Sequence, residues 1–211
     1  MKFWSDGIAP GAGIEPRYAL GRPHPKDHVE LADNVSPHLA WSELPAGARS
    51  LLLLCVDTDA PSRRDDANQE GRVVPPELAR VDFYHLVLVD LPPSAGAFAE
   101  GELSRGVTAK GKPGPAGPRG ARTGLNDYTG WFKGEAGMEG QYFGYDGPCP
   151  PWNDALVHHY HFRALALDLP RCPVEGVFDG RAVAAAISGH VLAEGRFTGS
   201  YALYPEAIER R

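Results

Sequence analysis

The sequence predicts a mostly β protein: a two-sheet antiparallel β-sandwich with one C-terminal helix and long loops. Three observations carry this expectation. The chain has 25 glycines and 20 prolines among 211 residues, too many turn formers for a helical bundle. Its longer apolar segments alternate with a period of two. Only one stretch has the spacing of an amphipathic helix.

Each element follows from its residues. The run 50–56, Ser-Leu-Leu-Leu-Leu-Cys-Val, reads as a buried strand. Residues 80–91 alternate, with Val81, Phe83, His85, Val87 and Val89 expected on one face and Asp82, Tyr84, Leu86, Leu88 and Asp90 on the other. In 158–168, His158, Tyr160, Phe162, Ala164 and Ala166 share one face, and His159, His161, Arg163, Leu165 and Leu167 share the other. Residues 196–203 are a fourth strand. The helix is expected to be capped by Asp179, to carry the stripe Val183, Ile187, Val191, and to end at Gly195. His190 falls inside it, and Ala184 to Ala186 favour helix over strand. The segment 111–124 has a Gly-X-Y rhythm over only four triplets, so it predicts an exposed, partly polyproline-like loop and not a triple helix. Residues 63–80 are polar, charged and loop-like.

Composition narrows the function. A 43% apolar fraction supports a real core, and the length suits one domain over 1–211. The net charge of −6 with scattered Lys and Arg argues against a nucleic-acid binder. The run 51–56 is far too short to span a bilayer, and no signal-like stretch follows Met1, so a cytoplasmic location is expected. Cys55, Cys149 and Cys172 are odd in number and far apart, which predicts free thiols, with neither a disulfide framework nor a zinc site.

The common catalytic signatures, such as a nucleophile elbow, a P-loop or a His-Glu-x-x-His helix, are absent. A scattered constellation remains, each piece on or beside a strand. Asp57-Thr58-Asp59-Ala60-Pro61-Ser62 follows the first strand, His85 lies on the second, Gly147-Pro148-Cys149-Pro150-Pro151 forms a rigid turn, and His158-His159-Tyr160-His161-Phe162 opens the next strand. A sandwich could gather these at one end. For Asp57 and Asp59 the plainer role is turn capping. For His85, His158 and Tyr160 it is a satisfied place in the core.

In order and spacing these motifs resemble the phosphatidylethanolamine-binding protein family, in its bacterial Raf kinase inhibitor-like branch. Three further stretches carry the same likeness: Asn34 to Trp41, Gly124 to Tyr128, and Gly189 to Ala193 with Thr198 to Tyr201. Thr58 and His159 depart from the family pattern, and the loops 63–80, 108–123 and 130–143 are longer than in small bacterial members.

The resemblance implies a small-anion site made of Asp57, Ala60, Pro61, His85, Gly147, Cys149, His158 and Tyr160, and a cis bond at Ala60–Pro61. Two imidazoles, a phenol and the N–H groups of the 147–149 turn would donate to a phosphate, carboxylate or lipid headgroup. Asp57 would orient His85 and raise its pKa. Trp131, Phe132, Tyr142 and Phe143 would line or cover the pocket.

The expectation is a binding module, not an enzyme, with no cofactor, acting on a small anionic ligand. It carries a regulatory or inhibitor role toward a partner protein such as a kinase or hydrolase, with oligomeric state open, a homodimer included. Two alternatives stand beside it: a metal- or Cys/His-dependent hydrolase using the same pocket, and an interaction protein whose pocket is vestigial.

Overall fold

The computed structural model describes residues 1–208; positions 209–211 of the expected domain lie outside the described residues. The architecture is the expected antiparallel sandwich. Its main sheet is formed by β5 (Ser50–Pro61), β6 (Arg80–Leu91), β8 (Arg122–Thr123), β9 (His158–Leu167) and β10 (Val191–Tyr201), in the order β10-β9-β5-β6-β8. A smaller sheet of β1 (Lys2–Trp4), β4 (Leu39–Ser42) and β7 (Gly96–Phe98) packs across its inner face, and β2 (Gly21–His24) with β3 (His28–Leu31) makes a short ribbon.

The run 51–56 stays buried because both faces of β5 are covered. Leu51, Leu53 and Cys55 point inward, to a core shared with Phe3, Leu39, Trp41 and Phe98 of the small sheet. Leu52, Leu54 and Val56 point outward, against Phe178, Val183 and Ile187. The β9 reading holds: Tyr160, Phe162, Ala164 and Ala166 lie in the inner core and Leu165 and Leu167 in the outer one.

The β6 reading fails at one residue. Cys55 pairs with Leu86 and Val56 with Tyr84, so His85 is an extra residue, a β-bulge. Above it Leu86 and Leu88 face the inner core; Tyr84, Val87 and Val89 face the outer one. Phe83 and His85 therefore share a side with Leu86 and Leu88, not with Val87 and Val89. Alternation cannot anticipate this, because a bulge shifts the parity of the strand.

The helix is shorter than expected. It is α2 (Gly180–Ala186), with the Asp179 carboxylate accepting from the Ala182 N–H at 2.8 Å. Gly189, at φ +82°, turns the chain away. Val191 then opens β10, which absorbs the expected strand 196–203 and leaves His190 outside the helix. Two one-turn helices, α1 (Tyr128–Trp131) and α3 (Pro205–Ile208), complete the structure. The three cysteines are free. Among the described residues, no helix is long and apolar enough to cross a membrane.

Candidate functional site

The expected pieces meet at one end of the main sheet, on its inner face. Register explains why. Asp57 on β5 stands opposite Tyr160 on β9 and Phe83 on β6, continuing the inward row Leu51, Leu53, Cys55. A second irregularity, between Asp57 and Ala60, lets the Asp59 N–H donate to Asp57 Oδ1 at 2.8 Å and brings Ala60 and Pro61 to the pocket rim. β5 continues paired through Pro61, opposite Arg80. The sharp turn expected from a cis Ala60–Pro61 bond is absent: that peptide is trans, and the cis bond found among the described residues precedes Pro115.

The recess is lined by Asp57, Ala60, Pro61, His85, Cys149, His158 and Tyr160, together with Phe83, Tyr128, Trp131, Pro150 and Pro151. Its cavity volume is only about 20 Å³. That is room for one or two water-sized groups at the bottom.

One wall is ionic. His158 Nδ1 lies 2.7 Å from Asp57 Oδ2, and its Nε2 lies 3.1 Å from Asp154 Oδ2. Asp154 in turn accepts two bonds from Arg80, at 2.6 and 3.1 Å. All four groups are largely out of water. Burial alone would lower the pKa of His158; the two carboxylates outweigh it and hold the imidazole up to about 9. Burial would likewise raise Asp154, but its bonds to His158 and Arg80 hold it below the ordinary range. The wall is therefore an alternating chain, Arg80 (+), Asp154 (−), His158 (+), Asp57 (−). Both ring nitrogens of His158 are committed to it, so this side chain, expected to donate to the ligand, instead orients Asp57.

The opposite wall is neutral. His85 Nδ1 lies 2.8 Å from the Asp146 carbonyl oxygen, which fixes the Nδ1–H tautomer. Burial lowers the His85 pKa, only partly opposed by Asp57. The expectation that Asp57 charges His85 is thus reversed: Asp57 charges His158, and the Nε2 of His85 offers a lone pair. Edge-on packing against Tyr160 and Tyr128, at 5.1 and 5.4 Å between ring centres, holds the imidazole in place.

Behind this wall sits a second buried hub. The Asp146 carboxylate accepts from Asn34 Nδ2 at 2.7 Å, Asn126 Nδ2 at 2.8 Å and Lys112 Nζ at 2.5 Å. Lys112 is the contribution of the loop 108–123, which reaches beneath the site and does not cover it.

Two donors here lack a protein acceptor among the described residues. The Tyr160 hydroxyl is fully buried and has no hydrogen-bond partner among the described residues; burial, reinforced by Asp57, pushes its pKa well above the ordinary value and keeps it protonated. Among the described residues, the Cys149 N–H donates to no protein acceptor. Gly147 does not line the recess. Its N–H donates to Asn34 Oδ1 at 2.8 Å and its carbonyl accepts from the Tyr128 hydroxyl at 2.7 Å. The glycine is needed because any Cβ there would collide with the Tyr18 carbonyl.

Cys149 and His158 form no hydrogen bond, since His158 is held by the two aspartates. Burial pushes the Cys149 thiol up to about 12, far from a reactive thiolate. Among the described residues no cluster of three or more His, Cys, Asp or Glu could hold a metal ion.

Seven of the eight expected residues thus meet in one recess. Sequence reasoning missed Arg80, Asp154 and Lys112, and it gave Asp146, part of the rigid turn 145–151, no role as a charged support. Asn34 and Asn126 lay inside recognised motifs without an assigned role. Of the expected lid, Trp131 lines the recess. Phe132 and Tyr142 pack behind it on Tyr128, and Phe143 is buried against Gly114.

The family model described as phosphatidylethanolamine-binding protein matches residues 4–202. A UPF0098 protein of Methanothermobacter thermautotrophicus is 31% identical over 174 residues, covering 80% of this chain and 83% of its own. The UPF0098 protein YbhB of Escherichia coli is 29% identical, with 80% and 82% covered. Among solved structures, Escherichia coli YbcL, titled a new member of the mammalian PEBP family, superposes with a TM-score of 0.65 at 23% identity, covering 95% of this chain and 97% of that one. A phosphatidylethanolamine-binding protein homologue from Chlamydia trachomatis gives 0.62 at 24% identity, with 95% of each chain covered. These two structural likenesses speak to the fold.

Proposed function

Because the chain belongs to the phosphatidylethanolamine-binding protein family, we propose that it binds a small anionic group, a phosphate monoester or a carboxylate, at the end of its sandwich. The observation that carries this reading is the fully buried hydroxyl of Tyr160, a residue of the recess lining, which has no hydrogen-bond partner among the described residues. An orphaned buried donor costs about 1–3 kcal/mol, and a ligand oxygen would remove that cost.

The protonation states select the ligand form. Tyr160 O–H and Cys149 N–H can donate to two anionic oxygens. His85 Nε2, neutral at pH 7, accepts a hydrogen bond. A singly protonated phosphate monoester supplies both kinds of atom, its P–OH turned toward His85. A dianion would need His85 to take up a proton, and Asp57 repels it. The regulatory role implied by the family would act through this end of the molecule and rests on the binding reading.

The test is a thermal-shift titration with inorganic phosphate, acetate and phosphoethanolamine. At about 100-fold excess over Kd the wild type gains roughly 2.7 kcal/mol. Tyr160→Phe and His85→Ala, folded by circular dichroism, lose about half of that gain or more. If no anion stabilises the wild type between pH 5 and 7, the proposal is wrong.

A further inference from the structure

The bottom of the recess has space for little more than the anionic atoms, so the remainder of any ligand must lie outside it. The outside is not featureless. A second hollow, of about 240 Å³ against about 20 Å³ for the recess, shares Ala60, Pro61, Phe83 and Trp131 with it. The two hollows are therefore neighbours, with these four residues lining both. The outer part is rimmed by Arg63, Arg64 and Arg181, against Asp82 and Asp127.

The three arginines differ in how firmly they are held. Arg181 is fully engaged: its guanidinium makes two bonds to the Asp127 carboxylate, at 2.8 and 3.0 Å, and a third to the Asp82 carbonyl at 2.7 Å. Arg63 and Arg64 are not. Arg63 reaches Asp65 only at 3.7 Å and Arg64 reaches Glu135 only at 3.5 Å, and their side chains are 64% and 46% exposed. Such exposed contacts contribute little and are cheaply exchanged. Arg64 is instead placed by its guanidinium, 4.4 Å above the Trp131 ring. Trp131 itself lines the recess. One cation thus stands preplaced on the aromatic wall that joins the two hollows.

Resting on the anion-pocket reading, we infer that the ligand carries two anionic groups: one seated in the recess and a second, several bonds away, exchanged onto Arg63 and Arg64. The class is a small phosphorylated acid, not a zwitterionic headgroup. Arg63 and Arg64 are specificity-determining residues, and the inner recess supplies the common anchor. Asp82, the rim carboxylate that Arg181 does not bind, lines the same hollow and would favour an ammonium; the experiment sets these preferences against each other.

The probes are 3-phosphoglycerate, glycerol 3-phosphate and phosphoethanolamine, titrated by calorimetry against wild type and the double variant R63A/R64A. The first two have the same carbon count and differ by the second anionic group. Charge-assisted hydrogen bonds are the stronger kind, so wild type is expected to bind 3-phosphoglycerate about tenfold more tightly than glycerol 3-phosphate. The double variant brings that ratio close to one, while its affinity for glycerol 3-phosphate falls far less. In 0.5 M NaCl the wild-type ratio shrinks as well. A wild-type ratio of one, a preference for phosphoethanolamine, or a ratio that survives the double substitution overturns the inference while leaving the anchor intact. If glycerol 3-phosphate and inorganic phosphate both fail to bind wild type, the anchor reading itself falls, and this inference with it.

Discussion

The two walls of the recess each present a buried histidine, and they treat it in opposite ways. On the β9 side His158 is clasped by Asp57 and Asp154, carries a charge at neutral pH, and has no nitrogen left to offer. On the β6 side His85 rests on a backbone carbonyl, is neutral, and keeps its Nε2 for the cavity. Residue type does not predict role here; the partner on the far nitrogen does. The charged histidine is held within the wall, and the neutral one keeps a nitrogen for the cavity.

The sharpest way to break this contrast is to remove Asp154. D154A leaves Arg80 and His158 without their shared carboxylate in a buried setting, and breaking such a pair costs about 3–5 kcal/mol. Urea unfolding should show the loss. A cost below 1 kcal/mol would mean that the ionic wall is solvated and the contrast false.

The pH dependence of stability separates the walls next. His158 has its folded pKa raised from 6.5 to about 9. Its contribution is complete below pH 6.5 and is lost as pH rises through about 9; the difference corresponds to roughly 3 kcal/mol. His85 has its folded pKa lowered, so its contribution is present above 6.5 and is lost as pH falls below that value. Urea midpoints measured from pH 5 to 9.5 should therefore peak near 6.5 and decline on both sides. Replacing His158 by Gln should flatten the alkaline side alone.

A smaller effect tests the ligand-facing wall. Tyr160→Phe removes an unsatisfied buried hydroxyl, so the ligand-free protein should be unchanged or about 1 kcal/mol more stable, while phosphate affinity drops about tenfold. A destabilised ligand-free variant would show that the hydroxyl has a partner after all. The smallest effect belongs to the outer face of β9. His159, exposed and paired with Asp59 at 2.9 Å, should cost less than about 0.5 kcal/mol when changed to Ala, despite being next to His158 in the chain.

How far the sequence reveals these walls depends on how local each signal is. β9 reads correctly because its alternation is unbroken from His158 to Leu167. The β6 faces are misread beyond His85, because an inserted residue leaves no mark on an apolar run. The helix end is misplaced because Gly189 and Gly195 are both plausible stops, and only the strand pairing of Val191 decides between them.

The ligand-facing residues were legible through their motifs. Their supports were not. Asp154 looks like a turn residue, four positions from His158 in a segment without helical spacing. Arg80 looks like the edge of a loop. Lys112 sits in a proline-rich loop 34 residues from the carboxylate it neutralises. Long-range ion pairs of this kind carry no periodicity, so pattern reading has nothing to find. Asn34 and Asn126 were the available hint: both sit in recognised motifs, and both prove to be buried on Asp146.

The bulge at His85 makes β6 a strand with two parities. Below it the odd-numbered residues Phe83 and His85 look into the cavity; above it the even-numbered Leu86 and Leu88 fill the same side. On a regular strand the imidazole would have to share a face with Val87 and Val89, which pack toward α2, and the polar end of the sheet would compete with its greasy middle for one surface. The surplus residue at His85 removes that conflict by changing the count and not the chemistry, and a second one, between Leu88 and Leu91, returns Leu91 to the inner core. Anyone transplanting this cavity into another sandwich would have to carry over the miscount before any of the side chains.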